Sequence, residues 1–205
     1  MRYLFSSKSE CTVTHMAQRS SVLSTAEARR ETVIDAAITE FSRKGYLGTP
    51  TSAVAEAAKI STAYVFKLFP AKETLFVAAL EHCFTLIEQA LARGADAAPS
   101  QSPGDVLYAM GGTYAELISD KRLLMLQVHA QAATDIPEIR DAVRRGLQRT
   151  TMFVKQRSGA ADADVQRMMA VGQLCHLIVA TGVEPGDGPW ADILLEGIRH
   201  PEPRS

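Results

Sequence analysis

The chain has 205 residues, 46% hydrophobic and 22% charged, an ordinary globular composition with length enough for a small domain fused to a medium one. No apolar run approaches the roughly 18 uncharged residues of a membrane span, and the N-terminal stretch lacks the sustained apolar centre of a signal peptide. The net charge of −1 hides a polarity: residues 1–72 hold ten Lys/Arg against six Asp/Glu, while residues 73–205 hold twelve against seventeen.

That asymmetry fits a basic module for an anionic partner carried on an acidic body. Three cysteines, Cys11, Cys83 and Cys175, are too scattered for a zinc site or a disulfide framework. No metal and no cofactor are expected, and the expected location is cytoplasmic.

Residues 1–24 are Ser/Thr-rich and aperiodic and read as a disordered tail. Thr25 then caps a helix over 26–44, with Val33, Ala37, Ile38 and Phe41 on one face, and Gly45 closes it. Thr51 or Ser52 caps a short helix to Ala58, Ser61 caps another over 62–69, and Pro70 breaks the run. Lys72 opens a long helix to about Arg93. The stretch 94–103, GADAAPSQSP, reads as a linker. Helices follow over 103–118, 121–133, 137–157, 165–183 and 190–199. The pattern is all-α, about nine helices with no strand signal. The expected organisation is a tail (1–24), a helix-turn-helix domain (25–72), a larger helical domain for ligand binding and dimerisation (73–200) and a short tail (201–205).

Residues 51–69, TSAVAEAAKISTAYVFKLF, carry the chemistry. Two short helices joined by a tight turn form a helix-turn-helix, whose second helix enters the major groove with its first residues at base edges. Val54 and Ala57 are expected to be buried in the first helix. Ile60 plugs the turn, and Val65, Phe66 and Phe69 are buried in the second. Thr62, Ala63, Tyr64 and Lys67 face outward.

This segment resembles the DNA-binding domain of the TetR family. It follows an Ala/Ile-rich helix ending Phe41–x–x–x–Gly45–Tyr46, and the order Thr51, Ala55, Ala58, Ser61, Phe66, Phe69, Lys72, Glu73 and Leu75 extends the likeness over about 50 residues. The resemblance implies base contacts at Thr62, Ala63 and Tyr64, with Ser61, which caps the reading helix, counted among the DNA-binding residues. It implies phosphate contacts at Thr51 or Ser52, Lys67 and Lys72. Three positions depart from the usual pattern: Lys59 stands where Gly is common, Phe66 where a phosphate-binding Tyr is frequent, and Leu68 where a second aromatic is common. The resemblance further implies a homodimeric repressor on a palindromic operator DNA, released by a small-molecule effector.

In the body, Phe84, Met110, Tyr114, Met125, His129 and Met152 are the candidates for an apolar effector pocket, a cationic aromatic being one effector type considered. The 165–183 helix is apolar on more than one face. Met168, Gly172, Leu174, Cys175, Ile178, Val179 and Gly182, with Ile193, are therefore the candidate dimer contacts. The Arg140, Arg144, Arg145 and Arg149 series reads as a solvated helix face. No nucleophile–base order, phosphate loop or carboxylate pair stands out, so the chain does not read as an enzyme. A small-molecule-binding protein with a vestigial DNA module and a ligand-independent regulator are the alternatives.

Overall fold

The computed structural model describes residues 10–198, with side chains from Ala26 onward. The tail readings for 1–9 and 199–205 lie outside the described residues. Among the described residues there are nine helices and no strand.

Helix α1 spans Glu10–Gly48, so the expected tail is helical from residue 10 and Thr25 lies inside the helix rather than capping it. No Gly or Pro stands between Met1 and Lys44, and Ser/Thr content alone does not stop a helix. The break comes at Gly45, whose φ of 68° and ψ of −177° turn the chain. A Cβ there would have positive φ and would stand 3.0 Å from the His129 Nδ1. The turn sends Tyr46 into the core, where its ring and that of Phe41 both pack edge-on against Phe76.

Helices α2 (Thr51–Ala57) and α3 (Thr62–Leu68) follow. Pro50 occupies the cap position of α2 and no side chain caps it, so Thr51 and Ser52 are its first two residues instead. Ser61 does cap α3, accepting from the Tyr64 N–H at 3.2 Å. Helix α4 (Lys72–Asp96) is the spine. By length and composition it could cross a membrane, but half of its apolar stretch is buried inside the protein, as befits a core helix. It runs through Gly94, which was expected to open the linker. A Cβ on Gly94 would meet the Ala109 carbonyl oxygen at 2.7 Å and the Met110 Cα at 2.8 Å. That glycine lets α4 approach α5 (Pro103–Ile118), and the connection proper begins at Ala97.

Helices α6 (Lys121–Ala132), α7 (Pro137–Ser158), α8 (Asp162–Thr181) and α9 (Pro189–Leu195) complete the body. One buried cluster extends from Val33 of α1 through Val54, Val65, Phe76 and Met110 to Val154 and Val165. The expected division between residues 72 and 73 falls at the start of α4, with no gap in this core. Two polar ties join α1 to the body. Arg122 of α6 donates to the Thr39 hydroxyl at 2.8 Å and to Asp35 at 3.3 Å, and Tyr46 donates to Glu73 of α4.

Candidate nucleic-acid interface and effector cavity

The reading module is held from behind by an apolar stripe on each short helix. Val54, Ala55 and Ala58 are buried, as are Val65 and Phe69, and Ile60 packs against the same cluster from the turn. Two expectations fail. Ala57 is exposed, and so is Phe66 at 45%. The inward stripe of α3 is 65, 68 and 69, the i, i+3, i+4 rows, and Phe66 lies one step round the helix from Val65. Lys59 has φ of 55°, the only non-Gly residue with positive φ among the described residues. The turn therefore uses a left-handed residue at this position, and a lysine supplies it at a steric cost.

What α3 leaves outward is Ala63, Phe66 and Lys67, with Thr62 and Tyr64 partly covered. Thr51 and Ser52 stand at the start of α2, Thr51 partly covered and Ser52 exposed. Arg29 of α1 lies 5.8 Å from the centre of the Tyr64 ring, and Arg30 lies 4.3 Å from that of Phe69. Lys72 is only half free, because its ammonium sits 4.5 Å over the Tyr46 ring and burial lowers its pKa. Below it, Tyr46 is pushed up to about 12 by burial and by its bond to Glu73, while that bond holds Glu73 below the usual carboxylate range. The module is thus basic and firmly packed against α4.

The body holds an inner cavity of about 50 Å³ lined mainly by apolar side chains of α4, α7 and α8. Of the six pocket candidates, Phe84 and Tyr114 line it. Met110 is fully buried in the core, Met125 packs on a second cluster around Leu124, and Met152 is 47% exposed on α7. His129 stands against Gly45, at the meeting of α6 and α1. Helical spacing placed these residues on the right helices but not at the right depth. The lining that sequence reasoning missed includes Gln127, Thr150 and Met169, together with Met168 and Gly172, which were assigned to the dimer face. Thr150 had a usable signal, a hydroxyl on the buried stripe 143, 146, 150, 154 of α7.

Tyr114 shares a 2.7 Å hydrogen bond with the His176 Nε2. Burial holds His176 down at about 4, so its ring is neutral. Helix α8 presents Val171 and Leu177 to solvent, and α9 presents Trp190 and Ile193. Leu174 and Val179 are half-buried and Gly182 ends the helix in a left-handed conformation. Cys175 and Ile178 are buried within the protomer, so they are not surface contacts. Among the described residues, no cluster of three or more His, Cys, Asp or Glu is placed to hold a metal.

Residues 33–79, from the middle of α1 into α4, match the family model for bacterial regulatory proteins of the tetR family. No curated protein sequence matches the chain. Solved structures match over most of its length. A TetR-like transcriptional regulator from Rhodococcus sp. RHA1 is 22% identical, with 81% of this chain and 91% of that one covered and a TM-score of 0.60. The transcriptional regulator FadR from Bacillus subtilis, in complex with stearoyl-CoA, is 13% identical over 82% and 96%, with a TM-score of 0.64. The multidrug binding protein EbrR, complexed with imidazole, is 21% identical over 86% and 98%, with a TM-score of 0.58. These likenesses establish the fold. Residues 33–79 are thus matched by the model of the bacterial regulatory proteins of the tetR family, and the all-α fold around them is the one that solved TetR-like transcriptional regulators share.

Proposed function

We propose that this regulator is a homodimeric repressor that grips a palindromic operator with α3 and leaves it when a small, mainly apolar effector enters the body. The observation that carries the reading is the division of α3. Val65 and Phe69 are buried while Ala63 and Lys67 are exposed, with Thr62 and Tyr64 half-covered at the helix start. That division leaves the helix start free to meet base edges and Lys67 to meet phosphate. Two such helices must stand about one DNA turn, roughly 34–36 Å, apart, so a dimer is required. The exposed apolar residues of α8 and α9 are the surface on which it would form.

Effector response rests on α4 and α6, which touch both the cavity and the reading module. Phe84 and Gln127 line the cavity, while Glu73 and Arg122 on the same helices hold Tyr46 and Asp35. FadR and EbrR, which share the fold, were solved with stearoyl-CoA and imidazole. An effector that fits one position of these helices better than the other shifts the spacing of the readers by that difference alone.

A ligand-independent regulator is the second reading, favoured by a cavity of about 50 Å³, well below the roughly 300 Å³ of ordinary ligand pockets. Selection of the purified protein on a random duplex pool, followed by sequencing, tests the DNA arm. An enriched palindrome supports the repressor. Salt-labile binding with no enriched sequence would point instead to a small-molecule-binding protein whose DNA module is vestigial.

A further inference from the structure

The inner cavity is walled by Phe84, Ile87, Leu91, Leu147 and Val154, with methionines from α8, and no charged side chain lines it. The nearby carboxylates are spent elsewhere: Glu81 and Glu88 are held by Arg145 and Arg149. One polar group of this wall is unspent. The Thr150 hydroxyl is buried and has no hydrogen-bond partner, and neither has the His176 Nδ1 behind Tyr114. Buried polar groups in proteins are nearly always paired, so an orphaned hydroxyl in an apolar wall marks a place for a ligand atom.

A groove of about 600 Å³ between α5 and α8 shares part of this lining. Tyr114, Met168 and Gly172 border both spaces. Gly172 has no side chain, and a Cβ there would touch the Tyr114 ring at 3.8 Å. Tyr114 thus stands between the two spaces, lining both. The two charged residues in the lining of the groove, Asp164 and Arg167, pair with each other at 2.9 Å.

We infer that cavity and groove form one effector site with Tyr114 as its inner partition, and that the site takes an uncharged, mainly apolar molecule with a single hydroxyl or carbonyl that bonds the Thr150 hydroxyl. An ion entering this site would lose its hydration and find no counter-charge, which disfavours anionic and cationic ligands alike. This rests on the reading of the chain as an effector-responsive regulator.

The test uses the full chain with three probes of equal length, 1-decanol below its aqueous solubility and decanoate and decylammonium below their micelle concentrations. Calorimetry and thermal melting are expected to show 1-decanol binding, with the two ions at least tenfold weaker. Thr150→Val keeps the shape and removes the orphan. The free variant should melt at a higher temperature than wild type yet bind 1-decanol roughly tenfold more weakly. Equal binding of either ion overturns the inference, as does unchanged 1-decanol binding by the variant, which would mean that the hydroxyl meets water only. Operator binding is measured on the same samples without probe. Operator binding with no 1-decanol binding defeats the site and spares the regulator; 1-decanol binding without operator binding does the reverse.

Discussion

The guanidinium of Arg30 stands 4.3 Å from the centre of the Phe69 ring, and its Nη1 donates to the Leu68 carbonyl at 3.3 Å. One side chain of α1 thus covers the last aromatic of the reading helix and satisfies one of its open carbonyls, a cation at the negative end of the helix dipole. Arg30→Ala should cost about 1–2 kcal/mol of local stability. Amide exchange in α3 should quicken and operator affinity should fall, with the salt dependence of binding unchanged, because Arg30 is spent inside the protein. A drop of about one unit in the salt slope would make Arg30 a phosphate contact instead.

Gly94 sets helix propensity against packing. Replacing a mid-helix Gly with Ala gains about 1 kcal/mol from propensity. Here the new Cβ would fall 2.7 Å from the Ala109 carbonyl oxygen and 2.8 Å from the Met110 Cα, backbone atoms that cannot turn aside. Overpacking costs about 1–3 kcal/mol or more, so Gly94→Ala should melt below wild type. A variant as stable as wild type would mean that α4 and α5 are not held this close.

Adjacent residues of α8 separate assembly from folding. Leu177 is 54% exposed and Ile178 is 1% exposed. Leu177→Arg should give a folded monomer by light scattering, whereas Ile178→Arg should be insoluble or unfolded because it buries an unpaired charge. A Leu177→Arg dimer as tight as wild type would remove this face of α8 from the interface.

His176 makes stability depend on pH. Its folded pKa of about 4 lies below the ordinary 6.5 of an unfolded histidine. Between these values the unfolded chain binds a proton that the native protein does not. Stability is therefore fully present above 6.5 and falls as the pH drops toward 4, by at most about 1.4 kcal/mol per unit. Urea midpoints across this range should slope for wild type and flatten for His176→Gln. Parallel slopes would assign the titration to another group.

Much of this was legible in the residues because it is local. Ser61 and Pro103 mark helix ends through chemistry confined to a few neighbours, and both stand where such residues belong. Lys59 stands at a turn position where the family resemblance has Gly, and its positive φ fits that position. What periodicity does not carry is depth and partner. Gly45 and Gly94 read as stops, yet their neighbours His129 and Ala109 come from other helices. Ile178 and Leu177 share one helix and one apolar character, and only the packing of α8 on the body decides which is buried. The cavity lining was missed for the same reason: Thr150 and Gln127 are polar residues buried in a wall to which five helices contribute.

The central claim, that α3 reads sequence while Lys67 holds phosphate, is tested most directly by affinities for operator and random duplex across a salt series. Lys67 is exposed on α3 and Tyr64 lies in its first turn, where side chains reach base edges. Lys67→Ala should weaken both DNAs alike and lower the salt slope by about one unit per subunit. Tyr64→Ala should cost about 1–3 kcal/mol on the operator, far less on random DNA, and leave the slope nearly unchanged. The reverse pattern, with Lys67→Ala altering sequence preference and Tyr64→Ala weakening both DNAs equally, would contradict this placement of the reading helix.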